Sequence, residues 1–277
     1  MSIGMNFVIA FLAGSVGTVI GGLQGFIMYG FIGLFVAAIS HLGGDIAFLD
    51  GTFMNLFFLP AVMFNGDVVG AAWCAKKHPD WFGENIGKGM ASYGDASVLL
   101  AGGIGGVIGY AVFYALNQIG LPADTGAWAM TLVGIAVRIV FKGKYYDKGA
   151  LEFFTSGFVF TNLAGWAYPI FLSVIVATTS AIFVQTTGIT NIGFLVSACT
   201  LIWSFFDPHF PATHHITLIA GLTISLTGNI VLAVLFGVIA QIIGIMFEMI
   251  CNTRCGSHID PPGVAIALCS LVLMLIF

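Results

Sequence analysis

The side chains able to do chemistry are few, and they are gathered in three places. In DPHFPATHHITLIAG, Asp207 to Gly221, an acid, three histidines and two prolines stand at the mouth of a long apolar run. In CNTRCGSHIDPPG, Cys251 to Gly263, two thiols, an arginine, a histidine and an acid share one short connection. Asp67 lies inside the apolar segment FLPAVMFNGDVVGAAWCAKK, Phe58 to Lys77. An ionisable group at bilayer depth is expensive, so it is a functional candidate by default. Asn-Gly-Asp is also a turn signal, which would leave the acid in an interfacial loop.

Each place suggests a chemistry. With a helix starting near Pro211, Thr213, Thr217, Gly221, Ser225 and Gly228 fall on one face, bordered by His214 and leading to Asn229. Such a stripe suits a hydrated path; equally, its hydroxyls could bond back to carbonyls while its glycines serve packing. Asp207 reads as the cap of that helix, and His209 and His215 as interfacial residues. Around the second connection, Arg254 and His258 beside the helix start at Gly263 offer an anion environment. Cys251, Cys255 and His258, with Asp260 as a fourth ligand, have the flavour of a zinc or copper site, but their spacing is not a standard one. Histidine titrates near pH 6.5, and with Asp67 it makes proton coupling plausible. Arg138 and Glu248 stand near the ends of apolar spans, where long side chains reach water.

The segment Asn252 to Leu268, NTRCGSHIDPPGVAIAL, resembles the signature of the HPP family of integral membrane proteins, in which a Thr-Arg segment runs into His-Pro-Pro and a small-residue helix. The upstream HHITLIAGLTISLTGNIV is similar to that family's preceding helix. Here Ile259-Asp260 separates His258 from the two prolines. The resemblance covers only the C-terminal end of the chain. It implies a small anion passing near Arg254, His258 and Gly263.

These residues have to be held by elements made almost entirely of apolar side chains. Hydrophobic residues make up 59% and charged residues only 7% of the chain, against about 25% charged in soluble domains. The expected fold is all-α: one integral membrane domain, a polytopic bundle over 1–277 in the lipid bilayer. No alternating pattern of the barrel kind is present. Met5 onward reads as a first span rather than a cleaved signal. A net charge of −4 argues against nucleic acid as a partner.

Two apolar runs are too long for one span and too short for two with a loop. Ile216 to Phe247 would make a helix of about 48 Å, against a hydrocarbon core of about 30 Å. A break at Gly228-Asn229 resolves it, and Met5 to Ser40 needs one in Gly21 to Gly25. Broken helices of this kind build the binding sites of many transporters. Glycines at 14, 17, 21 and 25, and at 102, 106 and 109, allow close helix approach, or approach of backbone to a solute. Four segments open on an acid (Asp50, Asp124, Asp207, Asp260), suggesting repeat units about 14–75, 97–143 and 207–277.

Lysines 76, 77 and 88, then 142, 144 and 148, place loops 76–95 and 142–149 in the cytoplasm, with a hairpin between them. The plasma (inner) membrane of a prokaryote is the expected location. No HExxH, GxSxG or paired intramembrane aspartates occur. The leading function is therefore a transporter or channel for a small solute, foremost a small anion, with proton coupling. An intramembrane metal-dependent enzyme and a scaffolding subunit are the alternatives. No cofactor is required, and a homo-oligomer is allowed.

Overall fold

The computed structural model describes residues 2–141, 163–207, 209–252 and 255–277. Arg254 and the loop 142–149 with its lysines lie outside the described residues. Helices dominate, and no strand occurs among the described residues. In chain order they are α1 (Ile3–Ile20), α2 (Gly22–His41), α3 (Met63–Lys77), α4 (Ala96–Gln118), α5 (Thr125–Val140), α6 (Leu163–Thr187), α7 (Ile192–Thr200), α8 (His214–Thr227), α9 (Ile230–Cys251) and α10 (Pro261–Ile276). A π-helical stretch, Leu49–Phe57, precedes α3. By length and composition α1, α2, α4, α6 and α9 can each cross a bilayer. The chain is an integral membrane protein of the all-α class.

The helices form two compact units. Among the described residues the first holds 2–121, 125–141 and 255–259; the second holds 122–124, 163–252 and 260–277.

In the first unit α3 is the central element. Met63 to Ala72 are buried without interruption, the signature of a helix surrounded on all sides rather than facing lipid. Helices α1, α2, α4 and α5 pack around it. Gly14, Gly66 and Gly106 let α1, α3 and α4 meet backbone to backbone; a methyl group on Gly66 would collide with Gly14, and one on Gly14 with Gly106. In lipid this close packing replaces the hydrophobic effect as the force between helices. α4 and α5 form the hairpin expected between the lysine loops. The α4 cap is Asp95, which accepts from the Ser97 amide at 2.9 Å and pairs with Lys77 at 2.8 Å. Lys77 and Ser97 hold its carboxyl well below the usual range.

In the second unit α8 and α9 run side by side, with α6, α7 and α10 packed on them. Ala177, Ala181, Ile216, Ala220 and Ala233 make its core. α10 begins as its sequence suggests: Asp260 accepts from the Gly263 amide at 2.6 Å and prolines fill the first turn. The expectation for Asp207 is corrected. Its carboxylate closes a local turn onto the His209 amide at 2.9 Å, and α8 starts at His214 rather than near Pro211. A side chain committed to the amide two residues on is lost to a helix farther down the chain.

Both expected breaks exist. Gly21 ends α1 and precedes α2 with φ 98° and ψ 147°. Gly228 ends α8 in the left-handed conformation, φ 66°, and Asn229 caps α9 by accepting from Val231 and Leu232.

Candidate functional site

The break at Gly21 exposes the last carbonyls of α1 and the first amides of α2 inside a packed unit. Buried backbone groups need partners, and the loop that follows α3 supplies them on both sides of the break. Met90 N–H donates to Thr18 O at 2.8 Å, Leu23 N–H donates to Ile86 O at 3.0 Å, and Gln24 Nε2 donates to Gly87 O at 2.8 Å. The loop thus laces both lips of the break.

Asp67 completes the break from α3. It is 0% exposed. A methyl group on Gly22, the first residue of α2, would stand 3.0 Å from its Oδ2, so the carboxylate lies against the positive end of that half-helix. The Gly22 amide is within electrostatic reach, yet neither oxygen makes a hydrogen bond of ordinary geometry. Two residues earlier, Asn65, also fully buried, donates to Ala61 O at 2.9 Å and leaves its side-chain Oδ1 unpartnered. Asp67 is therefore inside the helix and not in an interfacial turn.

A second polar group in this unit centres on the stretch 255–259. Arg138, expected to reach water from the end of its span, is instead 1% exposed. Its Nε donates to Ser257 Oγ at 2.6 Å and its Nη2 to Ser257 O at 2.5 Å. Ser257 thus takes two of the five N–H donors of the guanidinium. His258 lies next along the chain, its Nδ1 3.2 Å from Glu84 O and its ring edge-on to Phe64 at 5.6 Å. Phe64 in turn borders Gly22, which links this group to the break. Burial pushes the Glu84 carboxyl above its ordinary range; the charges of His258 and Arg138 offset that only in part.

In the second unit the face of α8 carrying Thr217, Gly221 and Ser225 is a packing surface. Ser197 and Thr213 hydroxyls meet at 2.7 Å, Ser180 donates to Thr217 O at 2.7 Å, and Thr190 and Ser225 hydroxyls meet at 2.9 Å. Thr217 bonds back to His214 O at 3.0 Å. A methyl group on Gly221 would collide with Thr190 O. Of the two readings of the stripe, back-bonding and glycine packing describe its geometry. Asn229 is exposed and engaged as a cap.

The histidines of α8 differ from expectation in one respect. His214, which borders the stripe, is buried, its ring 6.0 Å from Phe194. His215, placed at an interface by its position in the sequence, is 4% exposed and its Nε2 lies 2.8 Å from Gln241 Oε1 on α9. Gly244 leaves the room this requires. The signal that could have found the pair is Gln241, an amide inside the apolar run VLFGVIAQIIGIMF.

The anion environment expected at Arg254, His258 and Gly263 is only partly in view. His258 belongs to the first unit, and the Gly263 amide is taken by Asp260 in the second. Among the described residues no three His, Cys, Asp or Glu side chains come together as a metal site, so Cys251, Cys255 and His258 do not form one. The five cysteines form no disulfide.

Residues 160–277 match a family of unknown function, DUF7973. The match includes the histidine pair and Asp260 and leaves out Asp67. No curated protein and no solved structure matches the chain.

Proposed function

We propose that this protein is a transporter for a small ion, with Asp67 as the group that carries the coupling proton. The observation behind this reading is a fully buried carboxylate set against the first residue of a half-helix, with the Gly22 amide beside it and no hydrogen bond of ordinary geometry. A carboxylate that served only architecture would be neutralised by a partner or moved to water, because leaving it unpaired in an apolar interior costs several kcal/mol, roughly. Interrupted helices with an acid at the gap are where transporters place such groups. The cargo we assign is a small anion, on the resemblance of Asn252–Leu268 to the HPP family and on the buried cationic Arg138 beside His258. The lysine loops 76–95 and 142–149 are placed on the cytoplasmic side of a prokaryotic plasma membrane.

Uptake of radiolabelled anions, cations and neutral solutes into proteoliposomes, with and without an imposed pH gradient, tests the proposal. A small anion should accumulate in response to an inward proton gradient. Asp67→Asn should reduce that accumulation at least about a hundredfold, the scale of losing a group essential to the step, while chromatographic behaviour and unfolding temperature stay close to wild type. Gradient-driven uptake at the wild-type rate in Asp67→Asn would rule out the assignment.

A further inference from the structure

In the first unit, helices α3, α4 and α5 leave an apolar groove of about 410 Å³, within the range of roughly 300–1,000 Å³ typical of small-molecule sites. Its walls include Val69 and Trp73 of α3, Ser97 and Ile104 of α4, Ala136 of α5 and Phe141 just beyond it. Ile104 is 47% exposed, and Ala136 is also open to the outside. From Ser97 to Ile108 the groove follows α4 for eleven positions, about 17 Å of helix, close to half of a hydrocarbon core of about 30 Å. Its depth is that of one leaflet.

One end of the groove is basic. Lys76 is exposed, and its Nζ stands 5.8 Å over the ring of Phe141, a wall residue. Among the described residues Lys76 has no ion-pair partner, whereas its neighbour Lys77 is taken by Asp95 and Ser97. Trp73 sits at the same end with its indole N–H on Ser97 Oγ at 2.9 Å, the apolar-body, polar-tip arrangement of membrane-interface aromatics. An occupant must be apolar over the length of one leaflet and negative where the leaflet meets water.

We infer that this groove is a binding site for an anionic phospholipid, with an acyl chain between α4 and α5 and the phosphate at Lys76. The site is separate from the break at Gly21, and it does not depend on what the protein transports.

Native mass spectrometry of the full chain in detergent, with phosphatidylglycerol and phosphatidylcholine added in equal amounts, reads the site directly. Wild type should retain one phosphatidylglycerol per chain in preference to phosphatidylcholine. Lys76→Gln should weaken that preference about fivefold, the contribution of one basic residue near an anionic surface. Ala136→Trp, which fills the groove from its open side, should lose the retained lipid while keeping the wild-type subunit number and unfolding temperature. The inference is overturned if wild type retains no lipid, if Lys76→Gln keeps the full headgroup preference, or if Ala136→Trp retains lipid as wild type does. A change of subunit number in Ala136→Trp would also overturn it, since a second copy of the chain would then be the occupant. Lys76→Gln alters only an exposed side chain, so it decides the matter even if Ala136→Trp does not fold.

Discussion

The breaks at Gly21 and Gly228 arise from the same sequence feature, an apolar run too long for one span, and they become opposite structures. At Gly228 the chain reverses at a surface. Gly228 and Asn229 are exposed, Asn229 caps α9 from its own position, and α8 and α9 then pack along each other. At Gly21 the break is buried, and α2 starts without a side-chain cap of its own. Its open backbone is met by a loop some sixty residues away and by Asp67 from a third helix. A turn that satisfies itself locally needs nothing from the rest of the fold. A break satisfied by distant groups brings those groups together, and that is how a polar site can be assembled inside an apolar bundle.

The largest expected effect separates the two glycines directly. Gly21 combines φ 98° and ψ 147°, a region almost closed to other residues, with a contact in which an added methyl would meet Gln24 Oε1 and stand 3.2 Å from the Gly89 amide. Gly228 has φ 66° and open space around it. Gly21→Ala should therefore destabilise the protein by about 3 kcal/mol or more, and Gly228→Ala by about 1 kcal/mol. Thermal unfolding in detergent compares them. Equal losses at the two positions would mean that the breaks are alike after all.

Both breaks were legible in the sequence because run length against bilayer thickness is simple arithmetic, and Asp67 was legible because charge at that depth is rare. What could not be read was which break closes on itself, since the groups meeting Gly21 come from residues 86–90 and from α3. The same limit explains Arg138: its position near a span end suggested water, but its partner Ser257 is 119 residues away. His215 was misplaced for the converse reason, its partner Gln241 lying beyond the Gly228 turn. Asp260 was read well because its cap is local; Asp207 was read poorly because two local uses competed and the nearer amide won.

The His215 and Gln241 pair sharpens the comparison from the Gly228 side. If the second unit holds its polar groups for architecture, breaking the pair should cost stability and removing both members should restore it. His215→Leu or Gln241→Leu alone leaves one buried polar group without its partner, a loss of about 1–2 kcal/mol. The double variant should recover most of this, as replacing both members by apolar groups often does. Uptake by the double variant should match wild type. A double variant that is stable but inactive would move the functional centre from Gly21 to this pair.

The smallest expected effect tests how the loop closes over Gly21. Glu84 is part of that loop, its Oε2 is buried without a hydrogen-bond partner, and burial raises its carboxyl above the ordinary value of 4.5. A group whose folded value is raised favours the folded state while it is protonated. The stabilisation is complete below about pH 4.5 and is lost as pH rises through the folded value. Glu84 is partly exposed, so the loss by pH 7 should be only about 0.5 kcal/mol after screening. Glu84→Gln cannot ionise and should remove this part of the slope, unfolding at a slightly higher temperature than wild type at pH 7 and at the same temperature near pH 4. Should Glu84→Gln be less stable than wild type at pH 7, the ionised carboxylate would be holding the loop through Arg138 and His258. The break at Gly21 would then be closed by charge rather than by the loop backbone.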